Sequence, residues 1–229
     1  MEKISVIILT RNSEKYLRQC LDSIFMQTYS NYNVTIIDSY STDKTHRILS
    51  RYIDKDNYKI ITHEKDISVG LARKIGCEHA TGEILAYIDS DVELPYPEWL
   101  ENMHKPFIEY PDIAGVQTLA KCRPTDPESL KKIHARFEYK DKVIGISNYQ
   151  PIGTSHLLIK KHVLEYVGGF QDVFSGEDIP VMQKIMQAGY KFIYLKEEKC
   201  YHHHVDSYFG HIKRELRGLK NRIKTKLLR

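Results

Sequence analysis

The chain has 229 residues, enough for one substantial core and one or at most two domains, with 41% hydrophobic and 28% charged residues, an ordinary globular balance. Its four cysteines, Cys20, Cys77, Cys122 and Cys200, form no Cys-x-x-Cys pair, which argues against a disulfide framework or a thiolate zinc site and predicts a reducing cytoplasm. MEKISVIILT has neither the apolar length nor the cleavage site of a signal peptide, and no run reaches the roughly 18–20 apolar residues of a membrane span.

Up to Asp89 the chain alternates two periodicities. ISVIIL (4–9), NVTIID (33–38), YKIIT (58–62) and EILAYID (83–89) read as buried strands. Between them, Tyr16, Leu17, Cys20, Leu21, Ile24 and Phe25 follow a helical stripe behind Ser13, the expected N-cap. Ser41 or Thr42 is expected to cap a second helix through Ile48 and Leu49, and Ser68 a third from Leu71 to Ala80, stopped at Thr81-Gly82. Strands alternating with helices predict an α/β fold with a mostly parallel central sheet flanked by helices.

The second half is less regular. A helix is expected after Pro97 in PEWLENMHKPFIEYP, a strand in IAGVQTLAKC, a helix in PESLKKIHARFEYKDKVI and a strand in GTSHLLIKK. EDIPVMQKIMQAG reads as a helix with Pro180 in its tolerant first turn, and YKFIYLKEEKCYHHH as extended chain.

In open α/β sheets, ligands sit beyond the carboxyl ends of the strands. Thr10-Arg11-Asn12, Asp38-Ser39 and Asp89-Ser90-Asp91 all gather there. Asp89 and Asp91, one residue apart before Pro95, fit a plain turn or the hard oxygen ligands of a divalent cation. Neither a G-x-x-x-x-G-K-[ST] loop nor a G-x-G-x-x-G turn is present, so any phosphates would be held by a cation and basic side chains. Gly176-Glu177-Asp178 opens a helix; Asp178 there is either a cap or a general base taking a proton from an attacking hydroxyl.

SVIILTRN, IIDSYSTDKT, VGLARKIGCEHATGEILAYIDSDVE and VGGFQDVFSGEDIPVMQKIMQAGYKF, in that order from residue 4 to about 205, resemble the successive motifs of family 2 glycosyltransferases with the GT-A (Rossmann-like) fold. The resemblance implies an inverting, metal-dependent hexosyltransferase using a nucleotide-diphosphate sugar. It matches Asp89-Ser90-Asp91 to the Asp-x-Asp element, with Asp91 on the metal (Mn or Mg) and Asp89 and Ser90 on the metal or nucleotide. It matches Asp38 to the acid that reads the base, Thr10 and Arg11 to the wall around it, Arg73 to a nucleotide-contacting base, Asp178 to the catalytic base and Glu177 to the acid beside it. The family usually has Pro-Thr-Tyr-Asn where this chain has Leu9-Thr10-Arg11-Asn12, and often Asp-Asp-Gly-Ser where it has Asp38-Ser39-Tyr40-Ser41, so the identity of the base is left open. The Gln-x-x-Arg-Trp element of processive synthases is absent, which favours single transfers.

Of the run His202-His203-His204, the first and third share a face if extended, and either is a candidate metal ligand; similar enzymes carry a histidine hereabouts. From His211 to Arg229 eight basic residues face one acid, a charge of +7 that leaves −3 on the rest of a chain of net charge +4. Val205, Phe209, Ile212, Leu216, Leu219, Ile223 and Leu227 make this tail a basic amphipathic helix. It is read three ways: packed on its own domain, bound to anionic lipid at the cytoplasmic face of the membrane, or forming a helix seam in a homodimer. Nucleic acid is not expected, since the body is slightly acidic.

The expected organisation is a catalytic domain over 1–205, with a nucleotide half (1–95) and an acceptor half (96–205), and a helical tail over 206–229. The expected activity is transfer of one sugar from a nucleotide-diphosphate sugar, UDP favoured over GDP, to a hydroxyl of a glycan or lipid-linked acceptor. The alternatives are a sugar-phosphate nucleotidyltransferase, against which the glycine-free TRNSEKY loop weighs, and a non-catalytic partner subunit that binds a nucleotide sugar.

Overall fold

The structure is a computed structural model that describes residues 1–126, 128, 131, 142–145 and 152–203. His204, the tail over 206–229 and most of the helix expected in PESLKKIHARFEYKDKVI lie outside the described residues.

Strands β1 (Ile4–Thr10), β2 (Tyr32–Ser39), β3 (Tyr58–His63) and β4 (Ile84–Asp89) form a parallel block in the order β3-β2-β1-β4. Helices α1 (Leu17–Phe25), α2 (Thr45–Leu49) and α3 (Val69–His79) make the crossovers, with a 3-10 turn at Ser50–Tyr52. The sheet continues from β4 through β8 (His156–Lys160), β6 (Ile113–Lys121) and β9 (Lys191–His202). β8 runs antiparallel to both neighbours, while β6 and β9 are parallel. The far edge of β9 is shared by β7 (Lys142–Ile144) and β5 (Val92–Glu93), both antiparallel to it. Helices α4 (Trp99–Glu109), α5 (Lys161–Tyr166) and α6 (Asp178–Gln187) complete the layers.

The two faces of the sheet explain why its strands lack simple alternation. Ile4, Val6 and Ile8 point into a core with Leu17, Leu21 and Ile24 of α1 and Trp99, Leu100 and Met103 of α4. Ile7, Leu85 and Tyr87 point the other way, against Val163 and Leu164 of α5 and Val181, Met182 and Ile185 of α6. A strand covered on both faces must be apolar at every position.

Three local expectations are corrected. Ser13 is not the cap of α1: Tyr16 holds that position without a side-chain bond, and the Ser13 hydroxyl faces that of Ser90 at 2.8 Å. Neither Ser41 nor Thr42 caps α2: Lys44 holds that position without a side-chain bond, the Asp43 carboxylate before it accepts from the Thr45 N–H at 2.9 Å, and the Ser41 hydroxyl donates to Asp38. Residues 142–144, expected to end a helix, form β7, whose Ile144 is buried in the second core. Ser68 caps α3 as expected, accepting from the Leu71 N–H at 3.0 Å. Among the described residues, no helix is long and apolar enough to cross a membrane.

One glycine carries a close approach. A Cβ on Gly70 would lie 1.8 Å from the carbonyl oxygen of Gln171, and the Gly70 N–H donates to the Val173 carbonyl at 3.1 Å. Gly70→Ala should therefore force α3 from the 171–173 segment, costing about 2 kcal/mol and lowering the melting midpoint by roughly 4–8 °C. An unchanged midpoint in a thermal melt would contradict that contact.

Candidate active site

β1, β2 and β4 run side by side in register, so their polar carboxyl ends meet at one edge of the sheet. β4 delivers Asp89 at its last residue, and the turn through Ser90 places Asp91 just before β5. β5 pairs with the end of β9, Val92 opposite His202, and the His203 N–H donates to the Asp91 carbonyl at 2.9 Å. That pairing brings His202 Nε2 to 3.1 Å from Asp91 Oδ1. Reaching this point takes a bulge in β9: Thr118 of β6 faces Leu195 and Leu119 faces Lys199, leaving 196–198 without a partner on β6.

One ligand atom each from Asp89, Asp91 and His202 lies within 4.8 Å of the others. Around an octahedral ion with bonds of about 2.1 Å, neighbouring ligands sit about 3 Å apart and opposed ones about 4.2 Å apart. The spacing and the donor set, two carboxylates and an imidazole, therefore fit a divalent cation. The ion would take the place of the proton that His202 Nε2 shares with Asp91.

Behind this group His156, pushed down to about 3 by burial, remains neutral. It accepts from the Ser155 hydroxyl at 2.7 Å and donates from Nε2 to the Thr118 carbonyl at 3.0 Å, and its ring stands edge-on to His202 at 6.1 Å. On the outer side the His203 ring stacks on Tyr16 at 4.5 Å and lies 3.4 Å from both Glu93 and Arg123. Composition gave no signal for His156 or Tyr16, because their roles depend on which strands become neighbours.

Asp38 is fully buried at the end of β2. It accepts from the Thr10 hydroxyl at 2.8 Å, from the Ser41 hydroxyl at 2.6 Å and N–H at 3.0 Å, and faces His46 Nε2 at 3.3 Å. Arg11 reaches Asp66 at 2.9 Å, and Asp66 also accepts from the Ser39 hydroxyl at 3.1 Å. The corner bends sharply: Asn12 and Tyr40 hold φ of 51° and 57°, and the Thr42 N–H donates to Asn12 Oδ1 at 2.8 Å. Such backbone suits asparagine far better than tyrosine, so Tyr40 stores strain at the mouth of the site.

Arg73 on α3 is buried beneath this edge, 5% exposed. Its Nε donates to Glu177 at 3.0 Å, its Nη2 reaches Asp89 at 3.5 Å, and its guanidinium lies over the Tyr87 ring at 5.5 Å. The Asp89 carboxyl is raised above its usual range by burial, with Asp91 adding to the shift and Arg73 opposing it. Asp178, in the first turn of α6, is raised by burial and then by Glu177, against the pull of Arg73. The structure thus gathers Thr10 with Asp38, Asp89 with Asp91 and His202, and Arg73 with Glu177 beside Asp178, while Ser90 turns to Ser13.

Manganese alone, followed by electron paramagnetic resonance, is expected to bind the wild-type chain and to bind Asp91→Asn more than about tenfold more weakly, as disturbance of a ligand set costs. Equal affinity in the two proteins would contradict the assignment.

Residues 5–167 match the model of glycosyl transferase family 2. Glycosyltransferase AglE of Haloferax volcanii is 27% identical over 209 residues, 85% of this chain and 64% of that protein. Glycosyltransferase GlyA of Streptococcus pneumoniae is 32% identical over 109 residues, 48% of this chain and 16% of that protein. The chain therefore spans less than two thirds of either relative. The structure of S. aureus TarS 1–349 in complex with UDP-GlcNAc is similar with a TM-score of 0.71 at 24% identity, covering 87% of this chain and 58% of that one. The mannosyltransferase PcManGT from Pyrobaculum calidifontis, in complex with GDP-Man and Mn2+, is similar with a TM-score of 0.72 at 25% identity, covering 90% and 58%. With the fold shared and most of its length matched, the chain belongs to glycosyl transferase family 2 and has the GT-A fold.

Proposed function

We propose that the protein transfers a single sugar from a nucleotide-diphosphate sugar to an acceptor hydroxyl, with inversion at the anomeric carbon. The observation that carries this reading is the joint placement, at one strand edge, of a cation-binding group (Asp89, Asp91, His202) and a separate carboxylate of raised pKa, Asp178. A bound cation would neutralise the diphosphate and stabilise it as a leaving group.

The side chains supply the rest. Asp38, held by Thr10 and Ser41, and the Arg11–Asp66 pair line the corner where the base would lie, over the ends of β1 and β2. Asp89 and Ser90 border the ribose and diphosphate. Asp178 accepts the proton of the acceptor hydroxyl as its oxygen bonds the anomeric carbon and the bond to the diphosphate breaks on the opposite side. A raised carboxyl is the stronger base, so burial beside Glu177 suits Asp178 to that task.

UDP is the favoured donor nucleotide: TarS was captured with UDP-GlcNAc, whereas PcManGT was captured with GDP-Man, which keeps a GDP-sugar as the second choice. A glycan or lipid-linked hydroxyl is the proposed acceptor. Contact with anionic membrane through 206–229 belongs to the same proposal.

Asp178→Asn keeps the shape and removes the base. Its kcat is expected to fall about 10²–10⁴-fold, the usual contribution of general base catalysis, with donor affinity near wild type by calorimetry. Wild-type turnover by this variant would remove Asp178 from its role.

A further inference from the structure

Arg73 sits where three ties join α3 to the segment that leads into α6. The Ser68 hydroxyl donates to Asp172, the Gly70 N–H donates to Val173, and Arg73 Nε donates to Glu177. Ser68, Gly70 and Arg73 lie within the first turns of one helix, so the segment is held at several points along that helix's end. Gly176, at φ of 74°, makes the turn that points Glu177 inward. Glu177 is 7% exposed and Arg73 5%, so this ion pair is shut away from solvent. The same guanidinium reaches Asp89 at the end of β4, 16 residues along the chain, while Glu177 is 104 residues away.

A surface arginine waiting for a phosphate would be exposed and mobile. This one is stacked on Tyr87, whose hydroxyl donates to the Arg73 carbonyl at 3.3 Å, and its Nε and Nη2 are both directed at protein carboxylates. A planar guanidinium can bridge two carboxylates at a fixed separation, which a flexible ammonium cannot do.

We infer that Arg73 and Glu177 are positioning residues, which lock the segment bearing Asp178 to the end of β4 and so fix the distance from the base to the Asp89–Asp91–His202 group. This rests on the reading of Asp178 as the base. Asp178 lies next to Glu177, and Arg73 faces it from α3; these are the charged groups that act on its carboxyl, in opposite directions. The Ile179 N–H, at 2.9 Å, also bonds it.

The test compares Glu177→Gln, Arg73→Gln and Arg73→Lys with the wild-type full chain, by pH–rate profile and by carbon-13 titration of the Asp178 carboxyl in metal-free protein. Asp178 works when ionised, so activity falls as pH drops through its pKa, and whatever raises that pKa moves the acid limb up. Glu177→Gln removes a repelling charge and should move the limb down; Arg73→Gln removes an attracting charge and should move it up. Arg73→Lys keeps the charge and should leave the limb near wild type, while kcat falls by about tenfold or more from lost alignment. Glu177→Gln should lower kcat without raising donor KM, which separates alignment from loss of donor binding.

If Arg73→Gln fails to fold, as a thermal melt would reveal, the other two variants carry the test. An unmoved limb in folded Glu177→Gln, a limb shifted the same way in both Gln variants, or wild-type kcat in Arg73→Lys would overturn the inference. Normal turnover by Asp178→Asn would instead bring down the proposed reaction itself, so the two failures are distinguishable.

Discussion

The site depends on how four carboxylates are kept at one edge of a sheet. Asp89, Asp91, Glu177 and Asp178 come from strand ends and a helix start far apart in sequence, and burial raises the Asp89 and Asp178 carboxyls. Like charges so placed repel, and each unpaired buried charge would cost several kcal/mol. Arg73 meets Asp89 and Glu177 from below, and His202 meets Asp91 from the side. What remains is a pair of carboxylates half open to solvent, side-chain exposure 31% and 32%, arranged to take positive charge from outside the protein.

That arrangement follows from the fold. The parallel block places Asp38 and Asp89 on either side of β1, but His202 arrives only because β9 bends at its bulge and pairs with the two residues of β5. The stack of Tyr16 on His203 and the contacts of Glu93 with His203 and Arg123 fasten that short pairing from outside. The geometry of the candidate site is thus held by side chains of the second half acting on strand ends of the first.

The parallel block and α3 were legible in the sequence because their signals are local. β-branched runs mark strands buried on both faces, and the Ser68 hydroxyl accepts from the Leu71 N–H while it donates to Asp172. Ser13 and Ser41 carry the same residue type as Ser68 yet do not cap, because their hydroxyls accept from the Arg11 and Asn12 N–H groups and meet Ser90 and Asp38. β5, at two residues, is too short for any periodicity to reveal. Asp38, Asp89 and Asp91 were visible as strand-end clusters and Glu177-Asp178 at a helix start, whereas the bond between Arg73 and Glu177 spans 104 residues and has no local signature. Tyr40 shows the limit of motif matching. It stands where the resemblance expects glycine, yet keeps the left-handed backbone that glycine favours.

In the proposed reaction Asp89, Asp91 and His202 hold a nucleoside diphosphate through a divalent cation. Calorimetric titration of UDP and GDP, with and without manganese, on the wild-type chain and on Asp91→Ala tests it most directly. Binding is expected to require manganese, to be tighter for UDP than for GDP and to be lost in the variant. Binding that ignores the metal, or that survives in Asp91→Ala, would contradict it.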